Sequence, residues 1–213
     1  MKPFIKSSII YLFILSNRFW RGFEVKKGTL FILSGPSGVG KGTIREKIMT
    51  MPQLNLAYSI SMTTRKARVN EKNGEDYFFV SKEEFENAKK NGELLEWAEF
   101  VGNQYGTPKS FVEKLLNEGK NVLLEIEIEG AKQVMQKCPD AVTIFMVPPS
   151  FEELENRIRG RRSEPEEIIQ QRLNKAKREM KLQNDYKYVV INNTISKTSE
   201  EIANIITHYG NTL

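Results

Sequence analysis

The 213-residue sequence has one cysteine, Cys138, and one histidine, His208. A single thiol forms no internal disulfide, and one thiol with one imidazole falls short of a structural zinc site, which takes four such ligands. His208 falls near the C-terminus on a helical pattern and is expected on the surface of the last helix. Cys/His nucleophilic chemistry is thereby set aside, and any catalysis must rest on Lys, Arg, carboxylates and backbone groups. Long hydrophobic runs are missing too. The apolar run Ser8–Leu15 is far shorter than the roughly 20 residues a spanning helix needs. No internal repeat and no low-complexity segment interrupts the chain.

The positive charge has little breadth. Lys2, Lys6, Arg18, Arg21, Lys26 and Lys27 against Glu24 account for the whole net charge of +5, leaving 26 basic and 26 acidic residues beyond position 27. The body is neutral, so the cation cluster that would displace counterions from a duplex is absent there, and nucleic acid is not an expected partner. Residues 1–24 form an extension of unknown role. Three readings stand for it: a targeting or interfacial segment, an appended helix, or an upstream extension from a wrongly chosen start. The last two together are favoured, because no small-residue cleavage pattern follows the apolar stretch.

What is present is an ordinary globular composition, 39% hydrophobic and 28% charged, enough for one domain with a small insertion. From Gly28 onward, buried-strand patterns ("TLFILS", "NVLLEIEIEG", "AVTIFMVPP", "YVVIN") alternate with helical ones ("KGTIREKIM", "AKQVMQKC", the long region from Phe151 to Gln183, and "SKTSEEIANIITHY"). That alternation predicts a three-layer α/β fold with a mostly parallel central sheet. "AYSIS" reads as a short strand. Residues 58–107 read as an antiparallel insertion, with an Asn73–Gly74 turn and the strand "YFFV". It continues with a helix capped by Ser81 and Glu84 and ended at Gly92, then a hairpin over "LLEWAEFVGNQYGT". Pro108 is expected in the first turn of the next helix, "PKSFVEKLLNEG".

"GPSGVGK" (Gly35–Lys41) follows a strand and opens a helix with GxxxxGK spacing. The glycines let backbone N–H groups turn inward, the helix start adds partial positive charge, and Lys41 reaches terminal phosphates. Gly35, Pro36, Ser37, Gly38, Val39, Gly40, Lys41, Gly42 and Thr43 are therefore the expected ATP-binding residues. The general pattern puts Ser or Thr directly after the lysine. Here Gly42 stands there and supplies no hydroxyl to Mg²⁺, which retains water readily. No direct protein ligand to the ion is assigned, with Thr43 and Glu125 (the latter through water) as open alternatives.

Further blocks follow in order: "SISMTTRKARVNEKNGEDYFF", "LLEWAEFVGNQYGT", "LEIEIEGA" and "RIRGRRSE". With the phosphate loop they resemble the guanylate kinases, from about Lys27 to His208. In the residues themselves, Arg65 and Arg68 offer planar forks for a monophosphate, and Tyr77 and Tyr105 offer hydroxyls to it. Guanine presents N1–H and an exocyclic amine, to which a carboxylate is the matching acceptor. The resemblance implies that Glu96 and Glu127 take that role, with Ser61 and Thr107 near the remaining base edge. It implies a helical lid over about residues 155–172, in which Arg157, Arg161 and Arg172 meet the charge of the transferring phosphoryl group. Arg162 stands where the family commonly has Gly, and Arg159 and Arg178 read as a basic helix face. Asn192 would lie beside adenine, next to Asn193 in place of a common Asp. Glu125 and Glu127 stand where similar enzymes often carry aspartates, which leaves open which touches guanine and which orders metal-bound water.

The expected function is ATP:GMP phosphotransfer with Mg²⁺ by a guanylate-kinase-like domain over residues 25–213, in the cytoplasm, with no stable membrane span and the oligomeric state undetermined. Two alternatives remain. A guanylate-kinase-like interaction module would bind peptides without chemistry, although such modules typically lack a working phosphate loop. Another nucleoside-monophosphate kinase would share "GKGT".

Overall fold

The computed structural model describes residues 26–100, 102–160 and 165–212. The chain runs β1 (Leu30–Ser34), α1 (Lys41–Met49), β2 (Leu56–Tyr58), β3 (Met62–Thr63), β4 (Phe78–Phe79), α2 (Lys82–Lys90), β5 (Leu94–Phe100) and β6 (Asn103–Pro108). It continues with α3 (Lys109–Asn117), β7 (Asn121–Glu125), α4 (Ile128–Lys137), β8 (Val142–Val147), α5 (Phe151–Arg159), α6 (Glu166–Met180), β9 (Tyr188–Ile191) and α7 (Ile195–Tyr209).

Five strands form one wholly parallel sheet in the order β2-β7-β1-β8-β9. Its central strands are covered on both faces, so they read as continuous apolar runs. Within β1 the side chains alternate. Phe31 and Leu33 enter one core with Ile44 of α1 and Ile202 and Ile206 of α7. Leu30 and Ile32 enter the other with Val112 and Leu116 of α3 and Ala131 and Val134 of α4. The period of two along a strand thus produces the three layers directly. Each fully buried Ile or Phe adds about 1.5–3 kcal/mol of transfer free energy.

A second sheet, β4-β3-β6-β5, carries its own small core of Phe85, Ala88 and Leu94. Its pairings are antiparallel except β3–β4, which is parallel, with Met62 opposite Phe78. Helix α2 starts on a complete capping box between Ser81 and Glu84.

Three local expectations are corrected. Pro108 ends β6 and serves as N-cap of α3, not as part of its first turn. The strand expected over residues 57–61 ends at Tyr58. The strand-like run from Asn121 ends at Glu125, and α4 already begins at Ile128, so Glu127 is a helix N-cap and only Glu125 lies in the strand. Residues 1–24, with their alternative readings, lie outside the described residues. No helix among those described is long and apolar enough to cross a membrane.

At the start of the parallel strands, fully buried Asn121 ties distant segments. Its Oδ1 accepts from the N–H groups of Thr29 (3.2 Å) and Asn211 (2.9 Å), and its Nδ2 donates to the carbonyls of Leu54 and Asn211, both at 2.7 Å. Asn211 Nδ2 in turn donates to Lys26 O at 2.7 Å.

Candidate active site

The loop between β1 and α1 lies at the C-terminal edge of the parallel sheet, where open α/β sheets bind ligands. Gly40 is the N-cap of α1 at φ +98°, and a Cβ there would come 2.7 Å from Asn192 Nδ2, so glycine alone fits both the backbone and the space. No acidic residue occupies the first turn of α1, which leaves its partial positive charge uncompensated. Lys41 folds back over the loop and donates to Gly35 O at 2.6 Å and Pro36 O at 3.4 Å. Burial pulls the Lys41 ammonium below its ordinary pKa, against Glu125, Glu127 and Glu179, which hold it up. An anion at the loop would offset that desolvation.

Two clefts open on the loop. One of about 330 Å³ is lined by Ser37, Lys41, Thr43, Glu46, Glu125 and Glu127. The other, of about 340 Å³, is lined by Gly38, Gly40, Thr43, Arg157, Asn192, Asn193 and Ile195. Val39 is a core residue with its side chain fully buried. Its carbonyl accepts from Asn192 Nδ2 (2.7 Å) and Arg157 Nη1 (3.3 Å). Arg157 also donates to Asn192 O (3.1 Å) and Glu153 (2.9 Å), so its guanidinium braces the loop against the end of β9. Arg172, on α6, donates to Ser37 Oγ at 3.0 Å, which ties α6 to the phosphate loop. Arg161 and Arg162 lie outside the described residues.

On the second sheet, Arg65 grips Glu71 through two bonds of 2.9 Å, with its guanidinium 5.3 Å from the Tyr77 ring centroid and 5.7 Å from that of Phe79. The Arg65 fork and the Arg68 N–H hold the Glu71 carboxyl below its ordinary pKa. The rings of Tyr77 and Tyr105 meet edge-on at 6.1 Å. Arg68 is largely solvent-exposed, with Nη1 3.9 Å from Glu71. These four expected phosphate ligands share one strand-and-loop surface.

Glu96 is 6% exposed, and Thr107 Oγ1 donates to its Oε1 at 2.6 Å. Burial pushes the Glu96 carboxyl above its ordinary pKa, with the Thr107 hydroxyl and the Lys137 charge acting the other way. Gly130 of α4 makes the room: a Cβ there would stand 2.5 Å from Glu96 Oε2. Ser61 lies one residue before β3, half-buried. Glu127 is not buried with Glu96. Its carboxylate takes Lys175 Nζ of α6 at 2.7 Å, and Lys175 also meets Glu179 at 3.5 Å.

Glu125 pairs with Arg45 Nε at 2.8 Å, and Arg45 stacks 4.6 Å from the Tyr58 ring centroid. Burial, with the Glu125 charge behind it, pushes the Tyr58 hydroxyl up to about 12. No cluster of three or more metal-ligating side chains occurs among the described residues. The hard oxygen donors of Thr43, Glu46 and Glu125 at one cleft nonetheless suit Mg²⁺ held mainly by water and phosphate oxygens.

The sequence reading did not single out Glu71, Arg45, Lys175 or Gly130. Glu71 sits three residues beyond Arg68 in a polar loop, the pattern of a solvated surface. The partners of the others are remote in sequence and carry no local signal.

The sequence profile described as "Guanylate kinase" matches residues 27–209. A guanylate kinase of Mesoplasma florum is 52% identical over 180 residues, covering 84% of this chain and 61% of that protein. One from Bacillus cereus is 52% identical over 181 residues, covering 85% and 88%. The chain thus spans less than two thirds of the Mesoplasma relative's length and most of the Bacillus one's. The crystal structure of guanylate kinase from Anaplasma phagocytophilum superposes with a TM-score of 0.66 at 36% identity, covering 86% of each chain.

Proposed function

Since this chain belongs to the guanylate kinase family, we propose that it transfers the γ-phosphoryl group of ATP to GMP, giving ADP and GDP. The observation that carries this reading is a buried carboxylate, Glu96, held by Thr107 and walled by Gly130, beside the sheet edge that bears the phosphate loop. Guanine donates from N1 and from its amine; adenine presents an acceptor at N1, which a carboxylate repels. Sites that bury such a polar match reject the wrong base strongly, because the mismatched groups are left unpaired.

In this reading Arg65, Arg68, Tyr77 and Tyr105 bind the GMP phosphate, with Ser61 and Thr107 at the base edge and Glu127 as a second acceptor. Lys175 holds one oxygen of Glu127, and the other remains an acceptor. The ATP phosphates lie in the loop from Gly35 to Thr43, and adenine takes the cleft beside Asn192. An oxygen of the GMP phosphate attacks the γ-phosphorus as its bond to the ADP oxygen breaks. The attacking oxygen carries no proton that must be removed, so positioning and charge stabilisation do the catalytic work. Lys41, resting on the Gly35 and Pro36 carbonyls, and Arg172, resting on Ser37 Oγ, supply cations at the loop. Arg157 reaches the transferring group only by exchanging its carbonyl acceptors on Val39 and Asn192. Mg²⁺ would be held near Thr43 and Glu125, chiefly through water, and when bound it neutralises charge on the β- and γ-oxygens. The reading puts the activity in the cytoplasm, where both nucleotides are available.

A coupled ADP-release assay with GMP, AMP, UMP and CMP tests it. GMP is expected to be preferred by at least two orders of magnitude. Turnover of AMP, UMP or CMP at a comparable rate overturns the base assignment. No turnover of any nucleotide by the folded protein favours a non-catalytic interaction module.

A further inference from the structure

Strand β5 is an edge strand of its sheet, and its pairing with β6 slips by one residue beside Glu96. Leu94 is opposite Pro108 and Trp97 is opposite Gly106, so Leu95 and Glu96 together face Thr107. This is a β-bulge, a device that re-aims a side chain at the cost of ladder hydrogen bonds. In a regular strand, Leu95 and Glu96 would point to opposite faces. Here both lie on the α4 side. Leu95 packs in the core that holds Ile128, Ala131 and Val134, and Glu96 Oε2 lies against Gly130.

Two side chains four residues apart on α4, hence on one helix face, take up backbone groups at and beside the bulge that this edge strand turns away from β6. Gln133 acts as a substitute strand amide. Its Oε1 accepts from Trp97 N at 3.2 Å and its Nε2 donates to Trp97 O at 2.9 Å. Lys137 Nζ donates to Leu94 O at 3.0 Å and Leu95 O at 2.7 Å. Consecutive carbonyls in a regular strand point to opposite sides. Their convergence on one ammonium is therefore the bulge itself, and a compact cation with three donors suits it. The clamps grip the chain immediately before and immediately after Glu96.

We propose that Gln133 and Lys137 are positioning residues for base recognition: from α4 they fix the bulge that turns the Glu96 carboxylate in against Thr107 and Gly130. The inference rests on the reading that Glu96 accepts hydrogen bonds from guanine. A clamp that merely stabilised the fold would alter stability without altering base choice.

The test compares GMP with IMP, whose base keeps N1–H and lacks the 2-amine, in the full-length protein. The quantities measured are kcat/KM for each nucleotide, KM for ATP and Tm, for wild type, Lys137→Met, Lys137→Arg, Gln133→Leu and Glu96→Gln. Lys137→Met and Gln133→Leu are each expected to lower the GMP:IMP ratio of kcat/KM about tenfold, equivalent to about 1.4 kcal/mol, with the ATP KM unchanged. Lys137→Arg, which can still donate to both carbonyls, is expected to keep most of the ratio. In a Glu96→Gln background, Lys137→Met is expected to add nothing. An unchanged GMP:IMP ratio in folded Lys137→Met or Gln133→Leu overturns the inference, and so does an undiminished effect in the Glu96→Gln background. Should Lys137→Met fail to fold, Gln133→Leu decides. Glu96→Gln alone leaving the ratio intact overturns instead the underlying assignment of Glu96, and the inference with it.

Discussion

Gly130→Ala separates function from stability within a single methyl group. The added Cβ would stand 2.5 Å from Glu96 Oε2, 3.1 Å from Cδ and 3.4 Å from Cγ. Ordinary contact begins near 3.4 Å, so the carboxylate must retreat by about 1 Å. The neighbouring bond from Thr107 Oγ1, now 2.6 Å, then approaches the limit of hydrogen bonding. A displacement of that size at a group that orients substrate costs on the order of 10²-fold in rate. The fold is affected far less. Alanine in place of glycine inside a helix gains about 1 kcal/mol of propensity, and overpacking costs about 1–3 kcal/mol. The two nearly cancel. Steady-state kinetics at saturating ATP should show a large fall in kcat/KM for GMP, an ATP KM near that of wild type, and a Tm within a few degrees of it. A folded Gly130→Ala protein with unaltered GMP kinetics would refute the placement of Glu96 as the reader of the base.

Three further outcomes are expected. Lys41→Ala should fold normally, since its ammonium caps two loop carbonyls and not a core contact. It should lose on the order of 10²-fold or more in kcat, and near-normal turnover would remove Lys41 from the phosphate site. Glu96→Gln should raise Tm at neutral pH while weakening GMP binding. The buried carboxyl titrates above its ordinary value, so stability falls as pH climbs from the ordinary carboxylate range through the raised pKa and stays reduced beyond it. The gain should therefore vanish in acid below the ordinary range, and a Tm difference that does not depend on pH would contradict the burial argument. Glu71→Gln removes one of the two acceptors that fix the Arg65 fork and should raise the GMP KM several-fold with the ATP KM unaffected, as read from initial rates.

The parts of the fold legible in the sequence were those fixed by local chemistry. Strand, glycines, lysine and helix follow one another around Lys41 without a break, and the capping box at Ser81 lies within four residues. Where two structures share one pattern, the reading went astray. "EIEIE" alternates with period two like a strand, yet α4 begins within it at Ile128, because Glu127 is extended and the following residues turn. The parallel β3–β4 pair is closed by the loop from Thr64 to Tyr77, and loop closure leaves no hydrophobic period to detect. The bulge at Leu95–Glu96 was invisible for a similar reason: one extra residue changes facing, not composition. Of the candidate site, the glycine-rich loop with Lys41 and the arginines stand out by motif. Glu71, which holds Arg65, and Gly130, Gln133 and Lys137, which surround Glu96, act through contacts that depend on the tertiary fold.

The buried Asn121 knot has a practical consequence. It gathers Thr29 and Asn211 at the starting ends of the parallel strands, and Asn211 reaches Lys26 at 2.7 Å. The five residues of β1 then carry the chain roughly 16 Å to the phosphate loop. Both sequence ends of the described body therefore leave from one pole, with the two clefts on the phosphate loop at the other. A surface or fluorescent protein attached at residue 26 or 211 would face away from the clefts. A short linker joining residues near 26 and 211 would close the chain into a ring, and new ends opened at the β5–β6 turn would leave the parallel sheet uncut.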